Sequence, residues 1–176
     1  MKIKIFIGTS IDGFIARPNG DIDWLTPFAN EEAVRAYEEF VTGIDAHLIG
    51  RGTLEKVLEF PEWPYKHDVF VLSNSWKTLP AGMKGKATLI SMRPTETVAF
   101  LAAKGIKNIY IDGGKVIQDF LRANLVDEMT ISRAPILIGS GIPLFAQLDI
   151  DVAFKHINTE VYSNGLVRTK YEKRNH

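Results

Sequence analysis

The sequence predicts an α/β fold, a three-layer αβα sandwich around one mixed, mostly parallel sheet. Three observations carry this. Short apolar runs such as "AHLI" at 46–49 and "VFVL" at 69–72 have the length of buried strands. Through the first two thirds of the chain these runs alternate with stretches whose apolar residues recur at helical spacing, as in parallel strands joined by right-handed crossovers. In the last third, strand-like runs follow one another without helices, which predicts an antiparallel edge.

Each element follows from local chemistry. Ile3, Ile5 and Ile7 alternate with polar or small residues until "DG" at Asp12-Gly13 breaks the run. "NGDIDW" (Asn19 to Trp24) is rich in turn formers. Asn30 can cap a helix whose first turn carries Glu31 and Glu32, and Ala33, Val34, Tyr37, Phe40 and Val41 form its apolar face. "AHLIG", "VFVLS" and the weaker "ATLIS" (Ala87 to Ser91) read as strands. Pro94 to Lys104 reads as a helix stopped by Gly105, Lys107 to Ile111 as a strand, and Lys115 to Asn124 as a helix. "EMTISRAPILIG", "VAFKHI" and "LVRTKYEK" complete the strands. No repeat or linker interrupts residues 1–176, so one domain is expected.

Composition narrows the function. The 21 basic and 21 acidic side chains balance, and no basic stripe appears, so nucleic acid is not an expected partner. With no cysteine, disulfides, zinc–thiolate sites, iron–sulfur clusters and cysteine nucleophiles are excluded, and a reducing, cytoplasmic location is expected. The N-terminal apolar run is too short for a signal peptide or a membrane span. His47, His67, His156 and His176 show no metal-ligand spacing, so no metal is expected. G-x-S-x-G, G-x-x-x-x-G-K-[ST] and G-x-G-x-x-G are all missing; "GRGTLE" and "GSGIPL" keep only the first two glycines of the last pattern.

What remains is a set of strand ends. Ligands of open α/β sheets bind beyond the carboxyl ends of strands. "GRGT" follows "AHLI", "SNS" follows "VFVL", and "DGGK" follows "IYI". Arg51 is either a fork of donors for a phosphate or a surface arginine. Thr53 is either a hydroxyl donor or a helix cap, and Ser73 and Asn74 are either donors or turn residues. Gly113 and Gly114 either make a tight strand-to-helix turn or open backbone N–H groups to an anion. Their joint placement is what points to a ligand.

The ordered set resembles the dihydrofolate reductase superfamily, in particular the reductase domain of bacterial riboflavin-biosynthesis enzymes (the RibD C-terminal domain). "SIDGFIA" (Ser10 to Ala16) matches an S-x-D-G-x-I-A signature, and "LIGRGTLE" and "VLSNS" match two strand ends. The most specific part is "IDGGKVIQDFL…LVDEMTISRAPILIGSGIPLF". The resemblance implies a dihydrofolate reductase-like fold that binds NADPH. Arg51 would then contact the 2′-phosphate, Thr53 would lie near the pyrophosphate, and Gly50 would belong to the same cofactor site. Leu72, Ser73 and Asn74 would border the adenosine, Gly113, Gly114, Lys115 and Val116 would cover the pyrophosphate, and Gly8, Ile15 and Ala16 would flank the nicotinamide. It also implies an unusual cis peptide near Asp112-Gly113-Gly114.

On the substrate side, Trp24 and Glu38 are the candidates, Trp24 equally readable as a loop-anchoring core aromatic and Glu38 as a solvated acid. Asp12 is expected to shape its turn. The leading expectation is an NADPH-dependent reductase of a ribosylaminopyrimidine. Dihydrofolate is the second substrate, and a nucleotide-binding module without turnover is the alternative from another class. The apolar run "PILIGSGIPLF" and the riboflavin-type relatives imply a homodimer.

Overall fold

A computed structural model describes residues 1–174. The strands are β1 (Lys2–Thr9), β2 (Phe14–Ala16), β3 (Ala46–Gly50), β4 (Asp68–Leu72), β5 (Thr88–Ile90), β6 (Asn108–Asp112), β7 (Glu128–Arg133), β8 (Ile142–Pro143), β9 (Phe154–Val161) and β10 (Val167–Lys173). The helices are α1 (Glu31–Thr42), α2 (Arg51–Val57), α3 (Pro94–Ala103) and α4 (Gly114–Arg122). The main sheet has the order β5-β4-β3-β6-β1-β7-β10-β9, and β2 pairs with β8 in a two-stranded ribbon.

Alternation decides which face each strand presents. Ile3, Ile5, Ala46, Leu48, Ile109 and Ile111 point to one face and form the larger core with Leu101 of α3 and Val116, Ile117 and Phe120 of α4. Ile49, Val69 and Val71 point to the other, against Leu54 of α2, while Phe6 joins Ala36 of α1 there. The three layers follow. The central strands are buried on both sides, which is why "AHLI", "VFVL" and "IYI" read as unbroken apolar runs.

Helix starts follow their sequences closely. The Asn30 side chain caps α1 by accepting from the Ala33 amide at 3.0 Å. At the start of α3 the Glu96 carboxylate reaches back to the Arg93 amide at 3.0 Å.

The C-terminal edge differs from expectation. β7 is parallel to β1, because α4 supplies a crossover between β6 and β7. β10 then inserts between β7 and β9, antiparallel to both. The antiparallel edge is thus made by the last two strands.

Candidate functional site

The strand order brings the predicted ends together. β4, β3, β6 and β1 are consecutive neighbours, and their mutual pairings are parallel. Gly50, Leu72, Asp112 and Thr9 therefore close the same edge of the sheet. β3 runs straight into α2 at Arg51, and β6 turns through Gly113 into α4.

Close packing joins these turns. Gly113 has φ +95°, the left-handed region that favours glycine, and a side-chain carbon there would collide with the Thr53 hydroxyl. A carbon on Gly50 would stand 3.3 Å from Val116, and one on Gly114 would stand 2.9 Å from Ile142 and 3.3 Å from Ile15. Thus Gly50, Thr53, Gly113, Gly114, Val116 and Ile15 form one contact network. The sequence left the paired glycines two readings, a tight strand-to-helix turn or an opening of backbone N–H groups to an anion. In the structure the space beside each is filled by protein, so both first serve the joint between elements. Every peptide bond among the described residues is trans, so the expected cis bond near Gly113 is absent.

The starts of α2 and α4 contrast with those of α1 and α3. No side chain caps either one. The first backbone bond inside α4 runs from Ile117 to Gly113, so the amides of Gly114, Lys115 and Val116 have no described protein acceptor. Beside α2, the Arg51 side chain is half exposed and faces Glu55 at 3.5 Å. Arg51 also donates to Ser75 at 3.4 Å, and the Ser75 hydroxyl meets that of Ser73 at 3.3 Å. Ser73 is buried and accepts from the Trp76 amide at 3.2 Å, while Asn74 is exposed and accepts from Ser91 at 2.9 Å. Leu72 is half-buried. Lys115 is exposed, its ammonium 2.8 Å from Asp119 one turn along.

The first strand's end is built differently. Ile15 and Ala16 are buried in β2, paired with β8. Ser10 accepts from the Phe14 amide at 3.0 Å, and the Gly13 carbonyl accepts from the Leu144 amide at 3.0 Å. The Asp12 carboxylate accepts from the amides of Gly139, at 2.8 Å, and Ile138, at 3.3 Å. The Ser10 hydroxyl first, then these amides, hold its pKa below the usual carboxylate range. "SIDGFIA" and "PILIGSGIPLF" are therefore two halves of one device. Gly8 lets Leu25 approach β1, since a side-chain carbon there would stand 2.6 Å from Leu25 Cδ2. Neighbouring Trp24 is 3% exposed, and its indole N–H has no partner among the described residues. Glu38 is exposed on α1 and forms no ion pair among the described residues.

The profile of the RibD C-terminal domain family matches residues 1–168. The chain belongs to this family. The crystal structure of a putative riboflavin biosynthesis protein from Shewanella sp. PV-4 is 41% identical, with a TM-score of 0.94 over 99% of this chain and 100% of that one. Uncharacterized protein YwjB of Bacillus subtilis (strain 168) is 32% identical over 94% of each chain. Dihydrofolate reductase from Enterococcus faecalis, in complex with NADP(H), is 15% identical with a TM-score of 0.71, covering 99% of this chain and 97% of that one. The last likeness shows a shared dihydrofolate reductase-like fold.

This RibD C-terminal domain also carries groups at the same edge that sequence reasoning did not single out. On the α1 and α2 side of the sheet, His47 of β3 lies opposite Tyr110 of β6 in register, with Ile49 and Asp112 one pair further along. Around His47 stand Tyr65 at 4.6 Å, Tyr110 at 5.4 Å and His67 at 6.1 Å between ring centroids. Tyr37 of α1 lies 6.4 Å from Tyr110. His47 is 1% exposed, and neither ring nitrogen has a partner among the described residues. Burial first, then the neighbouring His67, pushes its pKa down to about 4. The signal in the sequence was the alternation itself, which sends His47, Tyr110 and Asp112 to one face. A separate cavity of about 320 Å³ lies away from these ends, lined by residues including Phe6, Phe40, Glu128 and Arg168. Among the described residues no group of side chains could hold a metal ion, and no helix is long and apolar enough to cross a membrane.

Proposed function

We propose that the chain is an NADPH-dependent reductase of a small planar heterocycle, of the riboflavin-pathway type. The supporting observation is the pair of uncapped helix starts, α2 and α4, side by side at the ends of β3 and β6 with Arg51 between them and solvent. The unpaired amides of Gly114, Lys115 and Val116 suit a pyrophosphate, since backbone N–H groups and the helix dipole both favour an anion. The Arg51 guanidinium, held by only two long polar contacts, suits the 2′-phosphate. The residues present therefore fit a dinucleotide phosphate. Gly50 and Thr53 would lie beside the pyrophosphate, Leu72, Ser73 and Asn74 beside the adenosine, and Gly8, Ile15 and Ala16 beside the nicotinamide, which supplies hydride when bound.

A ribosylaminopyrimidine is the first substrate, in keeping with the name of the Shewanella relative, a putative riboflavin biosynthesis protein. Trp24 would border it. Dihydrofolate comes second. Glu38, exposed and without an ion-pair partner among the described residues, favours a second reading in which the cradle binds a nucleotide without turnover. NADPH titration followed by oxidation across a panel of heterocycles separates them: turnover supports the reductase, and tight binding without turnover supports the module. A homodimer, burying Leu137 (67% exposed) and Phe145 (49% exposed), and a cytoplasmic location complete the reading.

A further inference from the structure

We propose that the substrate side of this edge selects against phosphate. Among ribosylaminopyrimidines it takes the one with an uncharged ribose, and Glu31 and Glu38 of α1 set that preference. The inference rests on the reductase reading of this edge. α1 ends just before β3 and α2 begins directly after it, so the first turns of both helices lie at the edge that Gly50 and Asp112 close. The two starts are unlike. That of α2 is uncapped and begins with Arg51. That of α1 is taken up by its own chain: Asn30 accepts from the Ala33 amide at 3.0 Å, and Glu31 and Glu32 occupy the first turn. The α1 dipole is thus already met by acids.

The two flanks of α1 face different ground. Ala36, Glu39, Phe40 and Gly43 line the separate cavity toward β7 and β10. The other flank carries Glu31, Val34, Tyr37 and Glu38 at helical spacing, and Tyr37 lies 6.4 Å from Tyr110 of β6 between ring centroids. This flank borders a trough between α1 and α2 whose floor is Tyr110 and His47, paired in register. His47 is buried, and neither of its ring nitrogens has a partner among the described residues. Buried polar atoms are ordinarily paired, so these nitrogens point to a polar occupant above the floor. The loop before Trp24 is fastened to α2 beside the trough. Asp21 accepts from Lys56 at 2.9 Å, and a side-chain carbon on Gly20 would stand 3.1 Å from the Lys56 stem.

Charge on these walls is one-sided. Residues 17–66, which supply α1, α2 and the loops beside them, hold ten acidic and five basic side chains in a chain that balances at 21 of each. Arg17 is engaged by Asp23 at 2.6 Å, Lys56 by Asp21 and Glu59, and Arg51 by Glu55 at the dinucleotide end. Arg35 shares a helical stripe with Glu39, on the flank of the separate cavity. Lys66 precedes β4 and so lies at the amino ends of the strands, away from this edge. Glu31 and Glu38 are exposed and form no ion pair among the described residues. A phosphate carried by the substrate therefore meets carboxylates and no uncommitted cation. Two carboxylates about 10 Å from a dianion weaken its binding on the order of tenfold at low salt, and less as salt screens them. Exposed acids that served only the surface of α1 would not separate a charged ligand from its uncharged counterpart.

The test titrates cytidine and cytidine 5′-monophosphate, which share an amino-substituted pyrimidine and a ribose and differ by one phosphate. The protein is saturated with NADP+, so the dinucleotide fills its own phosphate cradle, and binding is followed by protein NMR at low salt. Cytidine should bind at least tenfold more tightly than its monophosphate. The gap should close toward parity in the double variant Glu31→Gln/Glu38→Gln, and it should narrow for the wild type at high salt. Equal or tighter binding of the monophosphate by the wild type, no binding of either ligand, or a gap that survives in the double variant overturns the proposal. Failure of the wild type to bind NADP+ would overturn the reductase reading instead. The same pair, titrated into the free protein with inorganic phosphate present in excess, would then still decide the charge preference.

Discussion

Buried His47 makes a prediction about acid stability that can be worked through in numbers. An imidazole with an ordinary value of 6.5 unfolded and about 4 folded binds its proton mainly in the unfolded chain. Stability from this residue is therefore full above pH 6.5 and is lost as pH falls toward 4. Each pKa unit is worth about 1.4 kcal/mol, so the whole loss is about 3 kcal/mol. Asp112 acts with the opposite sign. Its folded value is raised from 3.8 to about 6, so the folded state gains as pH falls through 6 toward 4. The gain is at most about 3 kcal/mol, and less because the residue is partly open to solvent. The two effects oppose each other across the same window. Urea unfolding of wild type and variants at several pH values between 7.5 and 4.5 separates the two. His47→Phe, neutral at every pH and suited to the aromatic box, should become more stable relative to wild type by about 2–3 kcal/mol as pH falls across this range. Asp112→Asn should show the reverse, losing stability relative to wild type on acidification. Reading each variant against wild type cancels the other carboxylates of the fold. If His47→Phe and wild type lose stability in parallel, the neutral buried imidazole is refuted.

Two further predictions concern packing and assembly. Gly114→Ala pushes a methyl group into Ile142 and Ile15 and should cost about 1–3 kcal/mol in a thermal or urea melt, as overpacking does; Gly113→Ala adds a positive φ to its collision with Thr53 and should cost at least as much. Wild-type stability in both variants would show that the joint yields freely. Sedimentation equilibrium at micromolar concentration should find a species of twice the 19.7 kDa chain, and Leu137→Glu should shift it toward monomer.

Much of this molecule was legible from residue pattern. Central strands announced themselves because burial on both faces leaves no polar alternation, and Asn30 and Gly105 marked helix ends through their own backbone chemistry. The ribbon of β2 and β8 was not legible. Its strands are only three and two residues long, and the hydrogen bonds that define them join Ser10–Ala16 to Ile136–Leu144 across more than a hundred positions. The insertion of β10 between β7 and β9 escaped for a related reason, since a hairpin reads the same whichever strand lies outermost. At the site, the strand-end loops were found, and of the two readings of the paired glycines the packing favours the joint between elements. Their neighbours, Thr53, Ile15 and Ile142, come from three separate stretches and could not be seen from the motif. Asp112 was passed over because an acid before two glycines reads as a turn former, and only the sheet register sets it on the face that carries His47 and Tyr110.

The central claim, that this edge holds NADPH with Arg51 on its 2′-phosphate, is tested most directly by titrating NADPH and NADH into wild type and Arg51→Ala. Losing one charge-assisted contact of about 1.5–3 kcal/mol should weaken NADPH roughly tenfold to a hundredfold and leave NADH nearly unchanged. No NADPH binding to the wild type, or equal loss for both dinucleotides, would contradict it.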